Sequence, residues 1–454
     1  MQANFERQLS YHLHKWKLKE QRKPLILRGA RQVGKTTLVQ QFARGYKYAI
    51  LLNLEKKNDI RWFEEFNDVR TLLEALLVNY NISIREISNT LLFLDEIQES
   101  PEVIQLLRYF YEDFPELHVL ATGSLLEFAL RKVANFPVGR VEYLNLYPLN
   151  FLEYLNAINH QTVFDQFSEI PVKNVAHRTL LDLFNRYAII GGMPEVVKTY
   201  ISYESITELP SVYESIWGTY QKDVAKYASN ETDGRIIKHI ISTAHLYLDQ
   251  RIKFQNFGNS NYRSREVGES MRNLDDARII QLIYPTTDLE PPLKHDLKKS
   301  PRLQFLDTGI VNHALNIQGQ MLGMSDLSNA FKGSIIPHIV YQELMSINPI
   351  TQVKLPFWVR EKKQSSAEVD VVITHNDLAV PVEIKSGSTG RLRSLHQFID
   401  LCPHHYAIRM YAGEYKVEKC RTIAGKPFLL MNLPYYSGTK IREYIDYFLG
   451  NYAL

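Results

Sequence analysis

Three stretches predict an α/β fold built on a parallel sheet. One apolar run ends in a glycine-bounded loop (Leu25 to Thr37), a second ends in paired carboxylates (Leu91 to Ile97), and a third ends in small hydroxylic residues (Leu117 to Ser124). Each leads into a segment with helical spacing of apolar residues, and strands that alternate with helices assemble in parallel.

Residues 4 to 22 carry Phe5, Leu9, Leu13, Trp16 and Leu18 at helical spacing among Lys15, Lys17, Lys19 and Arg22, which predicts a leading helix with a solvated basic face. The strand Leu25 to Leu27 then enters Gly29-Ala30-Arg31-Gln32-Val33-Gly34-Lys35-Thr36-Thr37, and a helix over Lys35 to Arg44 follows. The loop satisfies G-x-x-x-x-G-K-[ST], in which glycines let successive backbone N–H groups curl around phosphate oxygens at a helix N-terminus. Gly29 to Thr37 are therefore the candidate nucleotide contacts. Lys35 is expected on the β- and γ-phosphates and Thr36 on Mg²⁺.

Tyr48 to Leu54 reads as a second buried strand and Val69 to Asn79 as a helix. The run ending in Asp95-Glu96 delivers two carboxylates to the carboxyl edge of the sheet, where open α/β folds bind ligands. Alone, the pair reads as a helix cap or solvated turn. Beside the phosphate loop, Asp95 is expected to hold Mg²⁺ and Glu96 to orient or polarise the attacking water, because phosphoryl transfer needs positioning and charge neutralisation above all. A helix begins at Pro101, in the first helical position, and ends near Phe114. In the strand after it, Thr122 and Ser124 are candidates to hydrogen-bond the γ-phosphate or its water, with capping of a helix over Leu125 to Lys132 as the alternative.

The chain has 454 residues, enough for about three domains. Apolar and charged fractions of 45% and 23% are those of a soluble globular protein, and a net charge of +3 argues neither for nor against a polyanionic partner. Two cysteines, Cys402 and Cys420, are too few for a disulfide framework, and no run reaches the length of a membrane span. The expectation is a cytoplasmic protein without a membrane partner.

The stretches above, together with Val138 to Tyr154, resemble the AAA-type ATPases of the archaeal-ATPase-like group, related to STAND signalling ATPases, over residues 20 to 155. The resemblance implies ATP as the nucleotide. It makes Arg140 a candidate finger toward the γ-phosphate, with Arg131 an equally reachable competitor. It also implies a helical lid in which Pro194, of Gly191-Gly192-Met193-Pro194, touches adenine; as plain sequence these residues read as a tight interhelical turn. From Gly234, a helix (Arg235 to Leu248), a long basic helix (Ser264 to Leu282) and strand-like segments around Lys294 to Lys299 look like a winged helix. Arg263, Arg265 and Arg272 are then candidates for DNA phosphates, unless the module is an internal lid.

In the last region, strand alternation sets Glu383 and Lys385 on one face of Ala379 to Lys385, and an adjacent strand can bring Asp370 beside them. Two carboxylates suit a hard divalent cation, and a neighbouring lysine can activate water. Spacing alone reads these as solvent-face charges, and Glu343, on a helix over Ile335 to Met345, as a solvated helix charge. With the helix Arg391 to Leu401, strands His405 to Met410 and Phe428 to Leu433, and a terminal helix Lys440 to Leu449, the set resembles a PD-(D/E)XK nuclease-fold domain, although Val369 stands where that pattern has proline. The resemblance implies a second Mg²⁺ or Mn²⁺ on Glu343, Asp370 and Glu383, with Lys385 catalytic.

The expected organisation is an ATPase domain at 1–155, a helical lid at 156–230, a winged helix at 231–312 and a mixed α/β, restriction-endonuclease-like domain at 313–454. The expected function is Mg²⁺-dependent ATP hydrolysis controlling a nucleic-acid-directed nuclease-like domain. The alternative is a nucleotide-gated switch or DNA- or protein-binding scaffold that cleaves nothing. A homo-oligomer and an unidentified protein partner both remain open.

Overall fold

In a computed structural model of the chain, residues 5–66, 68–124, 126, 139–223, 228, 230–324, 327–351, 353–361, 367–384 and 392–454 are described. The N-terminal strands are β1 (Leu25–Arg28), β2 (Tyr48–Asn53), β3 (Thr90–Asp95), β4 (His118–Gly123) and β5 (Glu142–Asn145). They lie in the order β2-β3-β4-β1-β5, and every pairing is parallel. Both β3 and β4 are buried at every residue, which is why they read as unbroken apolar runs. Leu91, Phe93 and Leu120 pack with the helices Leu9–Lys17 and Lys35–Ala43 on one face. Leu92, Leu94 and Val119 pack with Val69–Asn79 and Pro101–Asp113 on the other. Asp68 and Ser100 cap those two helices by accepting from backbone N–H groups in their first turns.

β4 separates β1 from β3, setting Thr122 opposite Leu27 and Ala121 opposite Leu94. The residue that ends the second apolar run, Asp95, and the loop that leaves β1 thus open at one edge of the sheet with Thr122 between them. Sequence reasoning did not find β5, whose four residues Glu-Tyr-Leu-Asn carry no strand-like run of their own.

Helices Phe151–Ala157, Gln161–Ser168, Asn174–Ile190, Pro194–Tyr203 and Pro210–Lys222 follow. Beyond them, helices Glu231–Thr243 and Ser264–Asp276 precede the antiparallel pair β6 (Ile280–Ile283) and β8 (Arg302–Phe305). The expected long helix Ser264 to Leu282 is therefore shorter. It stops because Arg278 takes a left-handed backbone (φ 62°) and the β-branched run after it pairs as a strand. Two short strands, β7 (Pro285–Thr286) and β10 (Glu368–Val369), flank β9 (Phe357–Val359).

The last sheet holds β11 (Val371–His375), β12 (Leu378–Ile384), β13 (Tyr406–Tyr411), β14 (Lys416–Arg421) and β15 (Pro427–Pro434) in the order β11-β12-β13-β15-β14. Its centre is parallel and its two edges antiparallel. This is a second α/β unit, with helices Arg393–Leu401 and Ile441–Asn451. The edge strand β14, half exposed and carrying Lys416, Glu418, Lys419 and Arg421, was not read from the sequence. Helix Ile335–Ser346 is buried from Ile335 to Met345, and one apolar cluster runs from Leu9 to Phe448. The regions are packed together, as the absence of linker-like sequence predicts. Among the described residues no helix is long and apolar enough to cross a membrane, and both cysteines are free thiols.

Candidate nucleotide site

The glycine-bounded loop owes its shape to its backbone. Gln32 (φ 64°) and Gly34 (φ 93°) both adopt left-handed conformations, the kind of alternation that turns peptide N–H groups into an anion-binding concavity. At Gly29 a β-carbon would lie 2.5 Å from the Leu146 carbonyl oxygen, so the loop leaves β1 through a gap only glycine passes. Lys35 follows in the first turn of its helix, buried, with Nζ donating to the carbonyls of Gly29 (3.0 Å) and Ala30 (2.8 Å). Burial pushes its ammonium down to about 8, with Arg278 and Arg31 adding to that and Glu96 and Asp95 opposing it.

Oxygen atoms converge beside it. Thr36 Oγ1 donates to Asp95 Oδ2 (2.9 Å), and Thr122 Oγ1 donates to Asp95 Oδ1. Thr36 and Thr122, far apart in sequence, thus both bond Asp95. Glu96 adopts a left-handed backbone (φ 52°), unusual for a residue with a side chain and costing on the order of 1 kcal/mol or more. Its carboxylate accepts from Gln98 Nε2 (2.6 Å) and, at 3.5 Å, from Ser124 Oγ. Ser124 also accepts from Arg31 Nε at 3.2 Å.

A cavity of about 670 Å³ lies beside them, with Arg31, Lys35, Thr36 and Glu96 in its wall on the sheet side and Pro194, Ser211, Ser215 and Thr219 on the helical side. A second cavity of about 250 Å³ shares Gly34, Thr37 and Pro194 with it and is closed by Phe5, Arg7, Gln41, Arg44 and Lys198. Pro194, the first residue of its helix, lies at the junction.

Sequence reasoning missed Arg7. Its guanidinium donates to the carbonyls of Val33 (3.0 Å) and Tyr147 (2.6 Å) and pairs with Glu153 (3.0 Å), so the N-terminal segment braces the phosphate loop from behind. Nothing in local spacing marks it, because its partners lie in other elements. Arg140 pairs with Glu112 (3.1 Å) on the surface, its side chain 44% exposed, and lines neither cavity. Arg131 and most of the helix expected over Leu125 to Lys132 lie outside the described residues.

The sheet order, the loop and the Thr36–Asp95 contact define an AAA-type P-loop ATPase domain at the N-terminus, and through it the chain is an ATP-hydrolysing enzyme. Residues 21–155 match the family model of an AAA domain, while 181–321 and 332–429 match Domain of unknown function (DUF8612) and Domain of unknown function (DUF4143). An uncharacterized protein of Haemophilus influenzae is 23% identical over 308 residues, covering 65% of this chain and 70% of that one. Among solved structures, a STAND signal-transduction ATPase with a tetratricopeptide repeat sensor from Pyrococcus horikoshii is similar at 13% identity and a TM-score of 0.27; the match covers 74% of this chain and only 45% of that chain. PCH-2 of C. elegans is similar at 12% identity and a TM-score of 0.19, covering 59% and 64%.

The C-terminal constellation assembles only in part. The β11–β12 ladder runs from His375 opposite Leu378 to Val371 opposite Val382, and Asp370, just beyond it, accepts from the backbone N–H of Ile384. Lys385 lies outside the described residues. Glu343 is not with the other two carboxylates. Both of its oxygens accept from Phe151 N–H (3.0 and 3.2 Å), at the start of the helix after β5, and Oε1 lies 2.7 Å from Tyr187 Oη. Burial pushes this carboxyl up to about 8. The solvated position that spacing predicts for it is corrected: Glu343 is buried and joins helix Ile335–Ser346 to the start of helix Phe151–Ala157.

Asp370 has a cation already. Arg302 of β8 is buried within 3.5 Å of both Asp370 Oδ1 and Asp249 Oδ1 and is bonded to Glu368, while Asp370 Oδ2 accepts from Ile384 N–H (2.8 Å). Desolvation disfavours the guanidinium, but Asp249, Asp370 and Glu368 outweigh it and hold its proton more firmly than usual. Among the described residues no group of three His, Cys, Asp or Glu side chains is arranged to hold a metal ion.

Proposed function

We propose that the protein couples Mg²⁺-dependent ATP hydrolysis to the state of its C-terminal α/β region, which acts as a recognition scaffold for DNA or protein and does not cleave. The observation that carries this reading is the contrast between Asp95, which faces hydroxyl groups at the cavity, and Asp370, which faces the guanidinium of Arg302. In the ATPase site, the backbone of Gly29 to Thr37 cradles the phosphates, and Lys35 exchanges its two carbonyl acceptors for β- and γ-phosphate oxygens. The hard oxygen donors Thr36 and Asp95 fit Mg²⁺, which when bound neutralises developing phosphate charge. Glu96 orients the attacking water, Thr122 fixes Asp95, and Ser124 holds Glu96 near the terminal phosphate. Pro194 and the second cavity take adenine.

A second reading keeps a nuclease-like site, supported by Asp370, which lies next to the end of the β11–β12 ladder and accepts from Ile384 N–H beside Glu383. The test is the full-length protein with Mn²⁺ and ATP, offered single- and double-stranded DNA and RNA. The scaffold reading expects every substrate intact, with affinity that depends on nucleotide and falls as salt rises. Cleavage that is lost in Asp370→Ala would replace it with the nuclease reading. The proposed division remains 1–155, 156–230, 231–312 and 313–454; the two helices and the antiparallel pair β6–β8 of the third unit support a winged helix, with DNA phosphates as candidate partners of Arg263, Arg265 and Arg272.

Arg140 belongs to this proposal as a finger supplied to a neighbouring copy, since its surface ion pair leaves it near solvent. Turnover per chain should then rise with protein concentration, and Arg140→Ala should remove the rise. A concentration-independent rate would assign a monomeric switch.

A further inference from the structure

Arg31 occupies the third position of the phosphate loop, where only the backbone is needed to form the cradle. Its side chain nonetheless faces the same cavity as Lys35, Thr36 and Glu96, and its charge is among those that disfavour the proton on Lys35. The guanidinium is held by groups from three directions. Nε lies 3.0 Å from Asp223 Oδ2 and 3.2 Å from Ser124 Oγ, and Nη2 lies 3.7 Å from Glu55.

Asp223 is the important partner, because it caps the C-terminal end of helix Pro210–Lys222, the helical wall of the cavity. Two further contacts fasten the same helix to the same two loop residues. Tyr220 Oη donates to the Arg31 carbonyl (3.2 Å), and Gln32 Nε2 donates to Thr219 Oγ1 (3.4 Å). Asp223 itself is buried, and Arg31 is one of the groups beside its carboxylate. One arginine therefore stands between two kinds of anion: a carboxylate on the helical wall and the phosphates for which the cavity is built.

We infer that Arg31 reads the terminal phosphate of ATP, and that Asp223 competes with that phosphate for it. With ATP bound, a fork-shaped guanidinium can bond γ-phosphate oxygens bidentately. Asp223 then loses its ion pair with Arg31, one of the three contacts that fasten helix Pro210–Lys222 to the loop. With ADP the anion within reach is shorter by one phosphate, and the Arg31–Asp223 pair persists. The nucleotide's third phosphate is thereby sensed within one chain, independently of Arg140. This assignment rests on the ATPase reading of the cavity and adds to it the group that tells ATP from ADP.

The experiment is calorimetric titration of the full-length protein with Mg²⁺ and either AMP-PNP or ADP. Arg31→Gln should weaken AMP-PNP about 10- to 100-fold, as expected for one charge-assisted contact, and change ADP affinity less than about threefold. Asp223→Asn removes the competitor, so AMP-PNP should bind about three- to tenfold tighter and ADP about as before. In Arg31→Gln/Asp223→Asn the second substitution should add no further gain, because its effect acts through Arg31. Equal weakening of both nucleotides by Arg31→Gln, or unchanged affinity for both, overturns the inference. If Arg31→Gln does not fold, Asp223→Asn alone decides: unchanged or weaker AMP-PNP binding overturns it. Lys35→Ala, which should weaken both nucleotides, separates failure of this inference from failure of the ATPase assignment.

Discussion

Two aspartates at strand ends, Asp95 and Asp370, invite the same reading in the sequence and meet different fates in the fold. Asp95 receives hydroxyl groups from Thr36 and Thr122 at the edge of a cavity. Asp370 receives the buried guanidinium of Arg302, which also serves Asp249 and Glu368. Both are carboxylates beside a positive charge or a place for one. What differs is the partner that each carboxylate meets: neutral hydroxyl groups in one case, a buried guanidinium from another strand in the other.

The largest expected effect tests the first half of that contrast. Lys35→Ala should lower ATP affinity about 100-fold or more and abolish turnover, since it removes a buried charge-assisted phosphate contact. Glu96→Gln should keep the affinity and slow hydrolysis by about 10² to 10⁴. Nucleotide binding and steady-state phosphate release measure the two, and a Lys35→Ala protein with wild-type turnover would remove the ATPase site altogether.

Next in size, Arg302→Gln should cost about 3 to 5 kcal/mol in urea unfolding, because three acidic groups lose their buried counter-charge. Mn²⁺ alone should leave the wild-type midpoint where it is, whereas Mg²⁺ with ATP should raise it. A wild-type midpoint that climbs with Mn²⁺ and no nucleotide would break the contrast between the two aspartates.

A smaller effect concerns Glu343. Its carboxyl sheds a proton near 4.5 when unfolded and near 8 when folded. Between those values the unfolded chain binds fewer protons, so this group's contribution to stability is complete below pH 4.5 and is lost as pH rises through 8. Glu343→Gln should flatten that decline and, at pH 8, gain on the order of 1 kcal/mol or more. A Glu343→Gln midpoint that falls with pH as steeply as wild type would refute it.

The smallest is a fraction of a proton. With Lys35 titrating at about 8, bound phosphates should restore its charge, so nucleotide binding at pH 8 should take up roughly half a proton. Calorimetry in two buffers of different ionisation enthalpy measures it, and the uptake should vanish toward pH 6.5. Equal uptake at both pH values would assign the proton to another group.

The ATPase site was legible because its chemistry is local. Gly29, Gly34, Lys35 and Thr36 are neighbours in sequence, and Asp95, Thr122 and Ser124 each end a buried strand that announces itself by an unbroken apolar run. Arg7, Arg302 and Asp223 were not legible, since each acts on residues dozens to more than a hundred positions away and none sits in a distinctive pattern. The burial of Glu343 was not legible for the converse reason. It lies on a helix buried on every side, so the helical spacing that usually separates a solvated face from a core face held no information.

The short passage after β5 has a bearing on how such a chain can be inherited. Asn145 accepts from Arg278 (2.8 Å) and donates to Pro349 (2.9 Å), Leu146 seals Gly29, Leu149 N–H donates to Gly192 (2.7 Å), and Phe151 N–H is held by Glu343. Seven consecutive positions therefore answer to the phosphate loop, the helical region, the hairpin and the C-terminal unit at once. Recombination that exchanged the ATPase domain at residue 155 would leave buried polar groups on both sides without partners, each costing about 1 to 3 kcal/mol. A segment of seven residues thus ties together parts of the chain that lie far apart in sequence, and a change there is felt in all of them.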